Sequence, residues 1–180
     1  TEMIAMEKTR MKQVCGTLLL DSHRAAIAAL SAQCQAIEAE LAKRIGDDAE
    51  LRRVLHILKS IPGIGERVAT LLITDLPELG QRDRKAIASL AGLAPHVSQS
   101  GAAPPRAAIA GGRPCVRAAL YMAALVAARH HPKLRDDYNA LRLQGKPGKV
   151  ALIAIARKLL VTANALVKAD TPYQGKTLDN

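Results

Sequence analysis

Apolar residues recur along most of this chain at intervals of three and four, the period of an α-helix. Leu20, His23, Ile27, Leu30, Cys34, Ile37 and Leu41 keep a strict 3-4-3-4 spacing, a heptad stripe that predicts one long helix over 18–45. Glu38, Glu40, Lys43 and Arg44 flank it. Such a stripe suits a coiled-coil arm, pairing with a second copy or folding back on the preceding helix; it also suits an amphipathic helix packed on its own domain. Gly46-Asp47-Asp48 ends it, with Asp48 placed to cap the next helix. Residues 49–60 put Leu51, Val54, Leu55 and Leu58 on one face. Ile61-Pro62-Gly63-Ile64-Gly65 follows, then Val68, Ala69, Leu72 and Ile73 at helical spacing. Further helices are predicted over 83–91, 114–131, 134–144 and 149–168, the last strongly apolar. No convincing alternating strand occurs, although 71–74 fits either state, and 92–113 reads as a long loop. The expected fold is all-α: a coiled-coil-like segment (1–48), a compact helical domain containing a helix-hairpin-helix (49–170), and a frayed tail (171–180).

Composition narrows the partners. The 180 residues are 49% hydrophobic, yet hold three Tyr and no Phe or Trp. The core must be aliphatic, which suits close helix packing and argues against a binder that stacks unpaired bases on aromatic rings. A net charge of +10 favours a polyanion. The cations crowd the second half, with few acids between them. Cys15, Cys34 and Cys115 have neither zinc spacing nor an even count, which suits a reducing cytoplasm. No signal peptide is evident, and no apolar run reaches the ~18 residues of a membrane span.

Three stretches carry candidate chemistry. Gly63 and Gly65 allow a tight turn whose amides, with the N-terminus of the next helix, can hold a DNA phosphate without reading sequence. Arg67 favours that and Glu66 opposes it; a purely structural corner fits the same residues. Ser100, in Ser98-Gln99-Ser100-Gly101, is a hydroxyl upstream of Arg106, Arg113 and Arg117. A nucleophile attacking a phosphodiester needs such cations, because negative charge builds on phosphate oxygens in the transition state. Arg113 and Arg117, one helical turn apart, are placed to clamp that phosphate; a mobile polar loop with solvated arginines is the plain alternative. Lys146, Lys149, Arg157 and Lys158 suit backbone phosphates of DNA or RNA. Gly145-Lys146-Pro147-Gly148-Lys149 lacks the spacing of a nucleotide-binding loop. Asp47-Asp48 and Asp136-Asp137 read as caps or solvated charges, so no metal site is expected in the chain.

Seven motifs stand in a recognisable order: Pro62-Gly63-Ile64-Gly65, Leu90-Ala91-Gly92-Leu93-Ala94-Pro95, Gln99-Ser100-Gly101, Gly111-Gly112-Arg113, Arg117-Ala118-Ala119-Leu120-Tyr121-Met122, Gly145-Lys146-Pro147 with Lys149-Val150-Ala151, and Arg157-Lys158-Leu159-Leu160. Over about 50–168 this resembles the C-terminal transposase domain of the insertion-sequence transposases related to the Piv invertase. The preceding helix is similar to the coiled coil that joins that domain to a RuvC-like nuclease half. The resemblance implies a DNA recombinase in which Ser100 is the covalent nucleophile. It also implies an acidic tetrad in the RuvC-like half that binds Mg²⁺, and a structured guide RNA that selects DNA. Expected partners are therefore double-stranded DNA, that RNA, and a second copy through the coiled coil, with no membrane, in the cytoplasm at the nucleoid. The RuvC-like half is not among these residues. Thr1 to about Leu20 reads as its trailing edge, and a start at Thr1 suggests a fragment. No cofactor is expected within the chain, Mg²⁺ is expected in the other half, and the chain alone is expected to be inactive. The alternatives are a non-catalytic DNA- or RNA-binding module that dimerises by its coiled coil, and a decayed transposon remnant.

Overall fold

The computed structural model describes residues 2–98 and 106–175. The chain divides into two compact units, residues 1–48 and 49–180. The first is a helical hairpin. Helix α1 (Glu2–Met11) folds back on α2 (Thr17–Asp47) through Gly16, whose φ of 121° favours glycine. His23, the polar member of the heptad stripe, has its Nδ1 2.6 Å from Glu7 Oε2. Glu7 also accepts from Arg10, and these two bonds, His23 first, lower its carboxyl pKa. An α-helix rises 1.5 Å per residue, so α1 is about 15 Å long against a stripe of about 32 Å. Ile37 on that stripe is 61% exposed.

The second unit is a helical bundle built on two long helices, α6 (Pro114–His130) and α8 (Gly148–Ala169). They pack on each other, and both touch α7 (Pro132–Leu143). Around them lie α3 (Ala49–Lys59), α4 (Glu66–Asp75) and α5 (Arg84–Leu90). The absence of large aromatics is met by small residues at the contacts: Ala123, Ala124 and Ala127 of α6 and Ala151, Ala156 and Ala163 of α8 are buried. Leu58, Leu72, Leu120, Leu134, Leu159 and Leu160 fill the space between, each fully buried. The fold class is the all-helical one that the periodicity indicates, and 71–74 is helical because Leu72 must turn into this core.

Three features differ from the sequence reading. The expected loop 92–113 contains an antiparallel ribbon, β1 (Pro95–Ser98) and β2 (Arg106–Ile109), pairing Pro95 with Ile109 and Ser98 with Arg106. Four-residue strands leave too little alternation to be read from sequence. The segment after α8 is tied down before it ends: Tyr173 donates its backbone N–H to Ser60 Oγ at 2.8 Å and sets its ring edge-on to His131. Finally, α8 is long and apolar enough by length and composition to cross a membrane, but 56% of that apolar window is buried inside the fold, as in a core helix.

Two polar side chains are buried on α8, Thr162 and Asn164. Asn164 is 5% exposed; its Oδ1 accepts from Gly80 N–H at 2.8 Å and its Nδ2 donates to the Arg82 carbonyl at 2.9 Å. Both ends of the amide are satisfied, as burial requires. Replacing Leu120 with Ala is expected to destabilise the chain by about 3 kcal/mol, since α4, α6 and α8 hold one another rigidly around the lost volume. Urea unfolding should show a lower midpoint with an unchanged slope.

Candidate nucleic-acid interface

Ser100 and its neighbours Gln99 to Pro105 lie outside the described residues. The backbone on either side is described. The β1–β2 register brings the two ends of that segment, Ser98 and Arg106, onto adjacent strands of one ribbon. Arg106 opens β2.

The ribbon is rooted at a backbone crossing. Gly92, Gly111 and Gly112 all have φ between 63° and 67°. A methyl group on Gly112 would lie 2.2 Å from the Gly92 nitrogen and 2.7 Å from the Leu90 carbonyl oxygen. One on Gly92 would lie 2.4 Å from the Gly111 oxygen. Only glycine serves at these two points, for conformation and for space. Arg113 N–H donates to the Leu90 carbonyl at 2.9 Å and closes the crossing.

The two arginines expected to clamp a phosphate are engaged at this corner. Arg113 is the N-cap residue of α6, with extended backbone, and its carbonyl accepts from Arg117 N–H at 3.1 Å. Its Nη1 and Nη2 donate to Glu78 Oε2 and Oε1 at 2.6 and 2.7 Å. That fork-to-fork pair is the favoured geometry for guanidinium and carboxylate. The Arg113 hydrogen bonds, with backbone bonding, hold the Glu78 carboxyl down to about 2. Arg117 Nη1 donates to the Gly111 carbonyl at 2.8 Å, with the Gly92 carbonyl at 3.4 Å. Glu78 was missed from sequence. The run Leu76-Pro77-Glu78-Leu79-Gly80 marks a helix end, and nothing local announces a partner 35 residues away.

The Gly63–Gly65 turn splits into two roles. Ile61 and Ile64 are buried on either side of Gly63, whose φ is 86°. A methyl group there would lie 2.5 Å from the Ala123 oxygen and 2.8 Å from Ala127 Cβ, so Gly63 is the point of close approach to α6. Gly65 is exposed, N-caps α4, and has open space around it. Glu66 is paired with Lys59 at 2.8 Å across the turn, and that bond lowers its carboxyl pKa. Arg67 is exposed in the first turn of α4.

The four candidate cations at the start of α8 and along it also part. Lys146 and Lys149 are exposed around the helix start. Arg157 is half-buried, and Lys158 is bound to Asp137 of α7 at 2.8 Å. Among the described residues no three His, Cys, Asp or Glu side chains gather as metal ligands. A cavity of about 450 Å³ is lined by Val54, Ile73, Leu76, Leu79 and Val167 among others, and by none of the candidate cations.

Comparison with known proteins adds a family. The profile of the IS116/IS110/IS902 transposase family matches residues 46–139. The pilin gene-inverting protein of Moraxella bovis is 32% identical over 128 residues, covering 69% of this chain and 40% of that protein, and its Moraxella lacunata counterpart matches to the same extent. An insertion element IS110 43.6 kDa protein of Streptomyces coelicolor (strain ATCC BAA-471 / A3(2) / M145) is 28% identical over 178 residues, 94% of this chain and 42% of that protein. The chain thus spans about two fifths of the length of these curated relatives.

The Glu78–Arg113 pair sets a pH dependence. The folded carboxyl sits below its ordinary value of 4.5, so the pair stabilises above that pH and the benefit is lost as pH falls towards 2. Glu78→Gln is expected to be less stable than wild type at neutral pH, with the gap closing between about 4.5 and 2 in thermal melts at stepped pH. Gly112→Ala should destabilise by roughly 1–3 kcal/mol from backbone strain alone, and hydrogen exchange should quicken at the amides of 90–98 and 106–113.

Proposed function

The chain belongs to the IS116/IS110/IS902 transposase family, and on that premise we propose that it is the DNA-binding and serine-nucleophile part of a recombinase that cuts and rejoins DNA strands during transposition. The observation that carries the reading is the ribbon. Its register pairs Ser98 with Arg106, the described residues that flank 99–105, and its base is pinned by Gly92, Gly112 and the Glu78–Arg113 pair. A nucleophile must be held about 3–3.5 Å from its target and in line with it, and a rigid root under a short segment favours that.

In this reading Ser100 Oγ attacks the scissile phosphorus. The Oγ–P bond forms, the strand's own P–O bond breaks, the serine proton leaves to a base, and the departing strand end takes up a proton. Rejoining is the same exchange run with a strand hydroxyl as the attacking group. A serine hydroxyl is almost wholly protonated at neutral pH, so activation must come from beside it. The Mg²⁺ expected for such chemistry finds no three-ligand cluster among the described residues, and no step is assigned to a metal within this chain. The chain alone is accordingly proposed to bind DNA without cutting it, and to need a RuvC-like half. Gene inversion, for which the Moraxella relatives are named, fits strand exchange of this kind.

Duplex DNA is the proposed partner, with phosphates at the Gly65 turn beside Arg67 and at Lys146 and Lys149. Arg106 is proposed to face the reacting phosphate. Arg113 and Arg117 act mainly by fixing the ribbon's base. A structured guide RNA would be a second polyanionic partner on the same basic surface, and the protein would act at the nucleoid in the cytoplasm. A second copy is proposed to pair along α2, because α1 is too short to cover its stripe and Ile37 stays exposed.

Joined to a RuvC-like half, with Mg²⁺ and guide RNA, the protein should form a covalent adduct with a nicked suicide substrate, seen as a retarded band on a denaturing gel. Ser100→Ala should abolish the adduct and leave the binding affinity within about twofold. An adduct that persists in that variant would defeat the nucleophile. Lys146→Gln with Lys149→Gln should weaken duplex binding and lower the log–log salt slope by about two.

A further inference from the structure

Three cations on one short stretch take no part in anything described above. Arg82, Arg84 and Lys85 are exposed, and none makes a salt bridge among the described residues. The carboxylate beside them, Asp83, is exposed and N-caps α5: its Oδ1 accepts from the amides of Lys85 at 2.7 Å and Ala86 at 2.9 Å. Those amides, Ala86 first, hold it in its charged form. The end of α5 is therefore closed by its own cap, and the stretch presents side-chain charge.

The backbone beneath these side chains is fixed from below. Asn164 grips Gly80 N–H with one end of its amide and the Arg82 carbonyl with the other. Leu79 and Ile87, on either side of the stretch, are buried. An amide placed on the apolar stripe of a core helix is costly unless both ends are paired. Here both pairings go to the segment 80–82, so a polar group in the core serves to hold the base of a cationic projection. Four other cations are held by carboxylates: Arg113 by Glu78, Lys158 by Asp137, Lys59 by Glu66, Arg53 by Asp170.

We propose that Arg82, Arg84 and Lys85 form a separate contact with the backbone phosphates of duplex DNA. The proposal rests on the DNA-binding reading given above and extends it to a second place on the surface. From Gly148 to Asn164 is about 24 Å along α8, the length of about seven base pairs, so this contact and the one at Lys146 and Lys149 fall on different phosphates. Duplex DNA is the fitting partner because the three Tyr are each partly buried, leaving no exposed ring on which unpaired bases would stack. The contact reads no sequence, since phosphate contacts position rather than specify.

The test is duplex binding by the full chain, followed by fluorescence anisotropy with a mixed-sequence duplex of about 20 base pairs over a range of KCl concentrations. The variant is R82Q/R84Q/K85Q, with R10Q/R24Q/R44Q removing the same charge from the other unit. At low salt the first variant should lose tenfold or more in affinity and lower the log–log salt slope by between about two and three; the second should lose less than threefold. Circular dichroism should show both folded, as expected for exposed side chains. A first variant that binds like the second overturns the proposal and leaves the DNA-binding reading standing. A wild-type chain that binds no duplex overturns that reading and the proposal with it. A loss seen with a structured RNA hairpin but not with the duplex overturns the assignment to DNA.

Discussion

At the foot of the ribbon two stretches of backbone cross with less room between them than a methyl group needs. Gly92 on one and Gly112 on the other make that approach possible, and their positive φ angles turn both chains sharply away again. Everything proposed for the ribbon depends on this crossing. It fixes the joint between α5 and β1 against the joint between β2 and α6, and so holds both ends of the segment that carries Ser100. Polar bonds then lock it: Arg113 N–H to Leu90, the Arg117 guanidinium to the Gly111 carbonyl, and the Arg113 fork to Glu78. Because Glu78 sits on the connection between α4 and α5, the corner is tied to a third part of the domain.

The fold also sorts the positive charge. A guanidinium gripped by a carboxylate in fork-to-fork geometry is a structural fastener; a solvated one remains available to a phosphate. Net charge does not distinguish the two. Arg113 and Lys158 belong to the first kind, and the exposed Lys146, Lys149, Arg82, Arg84 and Lys85 to the second. Surface ion pairs contribute little to stability on average, so the effect of these pairings lies chiefly in where side chains point. The same division runs through the glycines of the α3–α4 turn: Gly63 is consumed by close approach to α6, and Gly65 is left open.

Small residues make both features possible. With no Phe or Trp, α6 and α8 approach through alanines, and the turn at Gly63 can sit directly against the α6 backbone. An asparagine can then be admitted to the interior of α8, where its short amide reaches the backbone of 80–82 on the next layer. A bulkier, aromatic core would hold the helices further apart and put that backbone out of reach.

The helices from α2 onward were legible from the sequence alone, since a 3.6-residue apolar period survives whatever packs against it, and Pro, Gly and Asp mark the ends locally; α1 was not assigned. The family was legible too, because seven motifs in fixed order need no coordinates. The ribbon was not, because strands of four residues carry too few alternations to stand out from a loop. Nor were the partners of Arg113, Lys158 and Asn164, which lie 35, 21 and more than 80 residues away. Those pairings are set by which helix faces meet, a property of the assembled bundle. Local order thus belonged to the sequence, through periodicity and turn chemistry; the fate of each charge belonged to the tertiary structure, because only folding brings a carboxylate or a carbonyl within reach of it.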